Sequence, residues 1–163
     1  MADEAEQRAA VVAEARLWVG AGYHHYAAVR PTATERGAID CARILIETFA
    51  GAGLIERFHP GEYAADWHLH RGEERYLAMV ERYCRLVGED ESPLIDRGQE
   101  FAPKPGDILM WRWGRTFSHS AIVTGWPSII HAFAPEQSVV ECDVRGTPMS
   151  DKPMRVYSFW GGE

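Results

Sequence analysis

The chain has 163 residues, of which 46% are apolar and 25% are charged, and its formal net charge at pH 7 is −7. This composition predicts one globular domain over residues 1–163 with a core of ordinary size. The acidic balance argues against a nucleic-acid partner, because phosphate binding needs a surplus of lysine and arginine on one face. The apolar runs are shorter than the ~18 residues of a membrane-spanning helix. Residues 1–16 do not have the pattern of a signal peptide, so we expect synthesis in the cytoplasm and no membrane partner.

Three helices are predicted in the first half of the chain. Apolar residues recur at helical spacing from Ala5 to Trp18. A second helix is predicted over 40–50, because Gly51 stops an apolar helical pattern there. A third is predicted over 72–87, which would place Cys84 inside a helix, and the acidic run that follows at 89–91 is interpreted as a solvated loop.

Short apolar segments separated by turns follow in the second half. Strands are predicted over 108–111, 119–124, 129–133, 138–142 and 154–159. Helices that precede a mainly antiparallel sheet of about five strands indicate an α+β fold. In this arrangement the second helix packs on one face of the sheet.

Cys41 lies at the predicted start of the second helix, directly after Asp40. Unpaired N–H groups and the positive end of the helix dipole meet at that position and stabilise a thiolate, so we expect the pKa of this thiol to be lowered. The other two cysteines, Cys84 and Cys142, are interpreted as small buried hydrophobic residues. Cys41 is therefore the candidate nucleophile.

His119 and His131 lie in two predicted strands, and Gly125 is midway between them in the sequence. An antiparallel hairpin centred on Gly125 places the two side chains directly opposite each other, with Cβ atoms about 5 Å apart. Together with Cys41 they would supply a nucleophile, a base and a residue that orients the base. The competing interpretation is that His119 caps a strand end and His131 is a satisfied core histidine.

Four other histidines form two short clusters, His24-His25 and His68-Leu69-His70. Neither cluster has the i, i+4 helical spacing or the paired cysteines that are typical of zinc sites. We therefore expect no metal site, and acyl transfer by a cysteine requires no cofactor.

The order of these motifs resembles the NlpC-type cell-wall cysteine peptidases, whose architecture is papain-like. The matching segments are Ile39-Asp40-Cys41, Pro105-Gly106-Asp107-Ile108-Leu109, Ser118-His119-Ser120-Ala121-Ile122-Val123 and Ile129-Ile130-His131-Ala132. Within that family, residues 18–25 and 63–67 resemble the branch that is encoded with phage tail genes. The resemblance covers nearly the whole chain.

The resemblance implies a role for each residue at the site. Cys41 corresponds to the nucleophile, His119 to the base and His131 to the third polar residue. Tyr23 corresponds to the aromatic residue whose hydroxyl lines the oxyanion pocket, and Tyr26 competes with it for that position.

The resemblance also implies a substrate, which is the amide between γ-D-glutamate and a diamino acid in the peptidoglycan stem peptide. Arg43 follows the nucleophile where relatives have small residues, and it is a candidate partner for a substrate carboxylate. Phage-tail proteins are implied as partners, with action from a virion on the cell envelope.

Two other functions would use the same residues. One is a catalytically silent tail or assembly module that keeps the fold for binding, and thiol reactivity separates it from an enzyme. The other is an amidase or transglutaminase-like enzyme that acts on an amide outside the cell wall, which substrate screening separates from a wall peptidase.

Overall fold

The computed structural model describes residues 1–61, 75–90 and 102–161. Within these ranges the chain forms three α-helices, which are α1 (Glu4–Arg16), α2 (Cys41–Gly51) and α3 (Arg75–Glu81). It also forms nine strands, which are β1 (Gly22–Tyr23), β2 (Ala28–Val29), β3 (Ala38–Ile39), β4 (Arg85–Asp90), β5 (Ile108–Trp113), β6 (Thr116–Gly125), β7 (Ser128–Phe133), β8 (Ser138–Asp143) and β9 (Met154–Ser158). None of the described helices is both long enough and apolar enough to cross a bilayer.

The nine strands form one curled sheet with the order β2-β3-β1-β8-β7-β6-β5-β9-β4. Strands β5 to β8 pair antiparallel with their neighbours in sequence, and β9 lies between β5 and β4. The predicted α+β class is confirmed, and the five predicted strands correspond to β5 to β9. The predicted number of strands is wrong. Strands β1, β2 and β3 have two residues each, too few for a period of two to be visible in the sequence.

The remaining additional strand, β4, replaces the end of the predicted third helix. Helix α3 ends at Glu81, and β4 pairs antiparallel with β9. Cys84 therefore lies between a helix and a strand, and Glu89 belongs to a strand, where its carboxylate lies 2.8 Å from the Arg155 guanidinium. Main-chain pairing with β9 prevails here over the helical spacing of the apolar residues. The predicted helix start at 72 and the end of the acidic run at 91 fall outside the described residues.

Apolar clusters cover both faces of the sheet. One cluster lies between the sheet and the helices and contains Ile44 and Phe49 of α2 together with Ile122 and Ile130 of the sheet. The other lies on the opposite face and includes Leu109, Trp111, Val123, Ile129, Met149 and Val156. Each large side chain that is buried in this way contributes about 1.5–3 kcal/mol. Strands β6 and β7 are thus packed on both faces, and this fixes the backbone that carries His119 and His131.

Candidate active site

Helix α2 begins at Cys41 because Asp40 caps it. The Asp40 Oδ1 atom accepts hydrogen bonds from the backbone N–H groups of Ala42 at 3.1 Å and Arg43 at 2.8 Å. The Oδ2 atom accepts one from the backbone N–H of Tyr26 at 2.8 Å. With 1% of its surface exposed, Asp40 ties the loop around Tyr26 to the first turn of the helix. The cap therefore fixes the direction in which the Cys41 side chain leaves the main chain.

The Cys41 thiol is 7% exposed and lies beside strand β6, where Sγ is 3.9 Å from the Ser118 carbonyl oxygen. Burial, followed by the charge of the neighbouring Asp40 carboxylate, raises the pKa of this thiol to about 12. Hydrogen bonds from Tyr23 and Tyr76 act in the opposite direction. The expected lowering of the thiol pKa is therefore wrong for the free protein. A helix dipole contributes only about 0.3–1 kcal/mol, which is less than the cost of burying the thiolate.

Tyr23 and Tyr26 contribute to the site in different ways. The side chain of Tyr23, in strand β1, reaches that of Cys41. Burial raises the pKa of Tyr23, and so do the charge of Cys41 once its thiol ionises at high pH and the charge of Asp40, so the Tyr23 hydroxyl stays protonated and can donate a hydrogen bond. Tyr26 has an exposed side chain and a φ of 66°, and its ring centroid lies 4.1 Å from that of His25. The main-chain N–H of Tyr26 donates to the side chain of Asp40, the residue directly before the nucleophile.

A second tyrosine at the nucleophile was not identified from the sequence. Tyr76 of α3 is 2% exposed, and its hydroxyl contacts both the Cys41 carbonyl oxygen and the Ser120 hydroxyl. The Ser120 hydroxyl also donates to the same carbonyl at 3.2 Å. Because Ser120 follows His119 directly, this network joins the nucleophile helix to the strand of the candidate base. The sequence places Tyr76 on the apolar face of the predicted third helix. A hydroxyl that is buried on such a face requires a hydrogen-bond partner, and this requirement could have indicated a polar contact of Tyr76.

His119 and His131 contact each other, with His119 Nε2 and His131 Nδ1 2.8 Å apart. In the pairing of β6 with β7, Val123 lies opposite Ile129, and the register shifts between Val123 and Gly125. Continued along β6 and β7, the register makes the two histidines diagonal neighbours on one face of the sheet. The expected direct opposition is therefore wrong, because the irregularity beside Gly125 moves the centre of the hairpin. A diagonal pair is still within reach of two imidazole rings.

Aromatic rings enclose the histidine pair. Trp111 stacks on His119 with ring centroids 5.9 Å apart, and Phe133 stacks on His131 at 4.8 Å. Burial lowers the pKa of His119 well below its ordinary value, and the neighbouring His131 lowers it further. Burial also lowers the pKa of His131 to about 4. Both rings are therefore neutral at pH 7, and a neutral His119 is able to accept a proton.

No hydrogen bond joins Cys41 Sγ to a ring nitrogen of His119 in the described part of the chain. Cys41 instead contacts the residues on either side of His119, because its thiol lies 3.9 Å from the Ser118 carbonyl oxygen and its own carbonyl oxygen accepts from the Ser120 hydroxyl. The His119 ring stacks on Trp111, which belongs to the apolar cluster on the face of the sheet away from the helices, whereas Cys41 belongs to the cluster between the sheet and the helices. The structure therefore does not bring the thiol and this ring together, and the separation of about 3–4.5 Å between Sγ and a ring nitrogen that we expect for a catalytic pair is not shown.

Arg43 contacts a carboxylate of its own helix. Its guanidinium Nη2 lies 3.4 Å from Glu47 Oε1, and the other Glu47 oxygen accepts from Arg57 Nε at 2.7 Å. The proposed contact with a substrate carboxylate stays a prediction and would have to compete with this pair.

No group of three or more potential metal-binding side chains occurs among the described residues. His68, His70 and the segment 63–67 lie outside them.

Solved structures share this fold. The NlpC/p60 domain of the peptidoglycan hydrolase SagA aligns with 93% of this chain and 97% of its own length, at 20% identity and a TM-score of 0.57. NlpC1 from Trichomonas vaginalis aligns with 99% of this chain at 17% identity and a TM-score of 0.62, and the chain spans 47% of that protein. The peptidoglycan hydrolase RipB from Mycobacterium tuberculosis aligns with 93% of this chain and 67% of its own length, at 19% identity and a TM-score of 0.53. No protein-family model and no curated protein sequence matches the chain. The chain therefore has the mixed α+β fold of NlpC/p60 domains.

Proposed function

We propose that this protein is a cysteine peptidase that hydrolyses the γ-D-glutamyl-diamino acid amide of the peptidoglycan stem peptide. The observation that carries the proposal is the placement of Cys41, at a capped helix start, beside the strand that carries a neutral, hydrogen-bonded histidine pair. SagA and RipB, whose fold this chain shares, are described as peptidoglycan hydrolases, and this supports peptidoglycan as the proposed substrate class.

The proposed reaction requires the His119 ring to come within hydrogen-bonding reach of the thiol; the Cys41 sulfur then forms a bond to the carbonyl carbon and its proton passes to His119. The backbone N–H of Cys41 and the Tyr23 hydroxyl donate to the oxyanion, since the N–H groups of Ala42 and Arg43 already donate to Asp40. His119 then gives the proton to the leaving amine as the C–N bond breaks, which leaves a thioester. Water hydrolyses the thioester with His119 as the base, while His131 holds the His119 ring in orientation.

The pKa values of the free protein specify how this reaction starts. The thiol of Cys41 is protonated at pH 7, because its pKa is about 12, and the lowered pKa of His119 keeps that ring neutral. A preformed thiolate-imidazolium pair is therefore not the resting state. Proton transfer from Cys41 to His119 accompanies the attack on the substrate, where the developing imidazolium and oxyanion charges stabilise each other.

The test is digestion of purified peptidoglycan, with the products identified by mass spectrometry. The wild-type protein should release fragments that begin with a free diamino acid amine, and Cys41→Ala and His119→Ala should release none above background. His131→Ala should retain more activity than His119→Ala, with partial rescue by His131→Gln, because general acid-base catalysis contributes about 10²–10⁴-fold. Cys84→Ala is the matched control and should remain active. Wild-type protein that cleaves neither sacculi nor an isolated stem peptide would contradict the proposal.

A catalytically silent peptidoglycan-binding module is the second candidate function. Two observations favour it, namely the raised pKa of Cys41 and the hydrogen bond of its thiol to Ser118 instead of His119. Under this alternative, wild-type protein and Cys41→Ala would sediment equally with sacculi and neither would release products.

We also propose an association with phage-tail proteins, which rests on the sequence resemblance alone. Co-purification of the protein with tail particles tests this association.

A further inference from the structure

A cleft beside the start of β5 is lined, in the described part of the chain, by none of the residues of the candidate active site. Its volume is about 290 Å³, close to the lower limit of about 300 Å³ for ligand pockets. Asp107, which directly precedes β5, lines the cleft. Ser120, which donates to the Cys41 carbonyl oxygen, pairs further along β5 with Met110. The cleft is therefore separate from the surroundings of the candidate nucleophile.

The acidic side chains of the cleft are already paired with Arg8 of helix α1. Glu4 Oε1 lies 2.8 Å from Arg8 Nε, and Asp107 Oδ1 lies 2.9 Å from Arg8 Nη1. The other Asp107 oxygen accepts from the backbone N–H of Lys104 at 2.8 Å. The Arg8 guanidinium also lies over the ring of Trp160, 4.1 Å from its centroid. Arg8 therefore belongs to the wall of the cleft, and its charge is neutralised by the carboxylates of the protein itself.

Two other cations at the cleft, Arg85 and Lys104, have no carboxylate partner among the described residues. Arg85 donates from Nε to the Trp160 carbonyl oxygen at 2.8 Å, which leaves the donors of its two Nη atoms for another group. Lys104 has an exposed side chain. Three cationic and two acidic side chains of the described residues line the cleft, although the whole chain has a net charge of −7. The cleft is thus a positive region of an acidic protein.

A buried hydroxyl adds a third donor to the cleft. Ser158 is 4% exposed, and its Oγ atom accepts from Arg8 Nη2 at 3.2 Å and from the Trp160 backbone N–H at 3.4 Å. A hydroxyl oxygen has two lone pairs, so these bonds leave its proton to share. No acceptor among the described residues is bonded to that proton. Together with Arg85 and Lys104, the cleft offers hydrogen-bond donors with positive charge, which is the pattern that binds an oxyanion.

Two glycines in the left-handed region hold the side chains of the cleft in place. Gly106 has a φ of 86°, and a Cβ atom there would lie 2.8 Å from the ring of Trp160. Gly161 has a φ of 82°, and a Cβ atom there would overlap Arg85 Nη2. A side chain at either position would displace the group that packs on it, so both positions require glycine. The Arg85 guanidinium thus lies directly against the main chain at Gly161.

We propose that this cleft binds an oxyanion, which is a phosphate or carboxylate group of a small ligand, through Arg85, Lys104 and the Ser158 hydroxyl. The bound group would be joined to a small apolar portion, because Val87 of β4 and Val156 of β9 also line the cleft. The inference does not depend on the proposed peptidase function, since none of these residues takes part in the proposed hydrolysis.

The test is a titration of ¹⁵N-labelled protein at pH 7 and low ionic strength with inorganic phosphate, acetate or an isolated stem peptide, followed by two-dimensional NMR. At least one of these anions should shift the backbone signals of Ser158, Trp160 and Gly161 saturably, and sodium chloride at equal ionic strength should not. Arg85→Gln should weaken the binding about tenfold, because a hydrogen bond to a charged group contributes at least about this factor.

A second variant changes the geometry of the cleft and keeps its charge. Gly161→Ala places a methyl group where the Arg85 guanidinium lies, so it should also weaken the binding. Gly146→Ala is the matched control, because a Cβ atom there meets no atom within 4 Å. Lys152→Gln is the control for charge, since Lys152 is paired with Asp151 at 3.3 Å and does not line the cleft.

The order of affinities identifies the source of the oxyanion. Phosphate that binds at least tenfold more tightly than the other two probes indicates a phosphate ester, and tighter binding of the stem peptide indicates its carboxylates. Cys41→Ala should bind as the wild type does, so a protein that binds an anion but hydrolyses nothing contradicts the peptidase proposal and supports this inference. The absence of a saturable shift with all three probes overturns the inference, and so does unchanged affinity in folded Arg85→Gln and Gly161→Ala proteins.

Discussion

The Ser120 hydroxyl lies 3.2 Å from the carbonyl oxygen of Cys41, so the strand that carries His119 is bonded to the main chain of the candidate nucleophile. The Tyr76 hydroxyl contacts the same carbonyl from helix α3. Two hydroxyl groups from different parts of the fold therefore hold Cys41, and neither contact to the carbonyl involves its sulfur.

Replacing Tyr76 by phenylalanine tests this network, since the ring remains and the hydroxyl is lost. We expect the free energy of unfolding to fall by about 1–3 kcal/mol, because buried groups of Cys41 and Ser120 lose a partner. Urea denaturation measures this change. Tyr83→Phe is the control, because Tyr83 is half-buried with its ring stacked 5.5 Å from that of Phe58. Equal losses in the two variants would show that the Tyr76 hydroxyl contributes nothing specific.

The reactivity of Cys41 should depend steeply on pH. Because burial raises the pKa of this thiol to about 12, its alkylation by iodoacetamide should be slow at pH 7 and should rise about tenfold per pH unit up to pH 10. Burial also raises the pKa of Cys84 to about 12, so Cys84 should show a similar slope. Peptide mass spectrometry resolves the two sites. A Cys41 rate that reaches a plateau near pH 8 would show that the helix dipole outweighs burial.

Replacing Asp40 by asparagine should make Cys41 more reactive at a given pH. The negative charge of Asp40 is the second largest cause of the raised thiol pKa, and asparagine removes that charge. Asparagine caps helices about as well as aspartate, so helix α2 should be retained. The measurement is the same alkylation profile, and Asp151→Asn at an exposed position is the control. An unshifted profile in a folded Asp40→Asn protein would exclude this carboxylate as the cause.

The protein should lose stability as the pH falls from 6.5 towards 4. His131 has a folded-state pKa of about 4, below its ordinary value of 6.5, so the unfolded chain binds the proton more readily in this interval. The contribution of His131 is fully present above pH 6.5 and is lost on acidification, by roughly 3 kcal/mol in total. His119 acts in the same direction.

Unfolding measured at pH 7 and pH 4.5 checks this prediction. His131→Gln should narrow the difference in stability between the two pH values, because glutamine does not titrate. His24→Gln, at an exposed histidine, is the matched control and should retain the wild-type difference. A difference of the same size in His131→Gln would assign the acid sensitivity to other groups.

Local sequence patterns predict the main parts of this site. The change from a polar loop to an apolar helical pattern places Cys41 at a helix start, and an aspartate before it is a frequent helix cap. The even spacing of His119 and His131 predicts that they share a face, which the structure shows. Their diagonal offset was not predictable, because it depends on a strand irregularity next to Gly125 that leaves no regular signal.

The electrostatics of the site were not predictable for a different reason. The thiol pKa follows the burial of Cys41, and that burial depends on Tyr23, Tyr76 and strand β6, which come from three separate segments of the chain. Likewise, strand β4 forms because β9 is available as a pairing partner. A single stretch of sequence cannot show which distant segment will cover it or pair with it.

The anchoring of Cys41 through its carbonyl has a consequence for how such a chain can change over time. Loss of the sulfur would leave the cap, the two hydroxyl contacts and the paired histidines in place, so under the proposed peptidase function one substitution would end hydrolysis and leave the rest of the site intact. A proposed peptidase whose nucleophile is held by its main chain could therefore become a binding protein for the same substrate through a single substitution. If the proposed function holds, the variant Cys41→Ala should bind the stem peptide without cleaving it, and it is suited to structure determination of that complex.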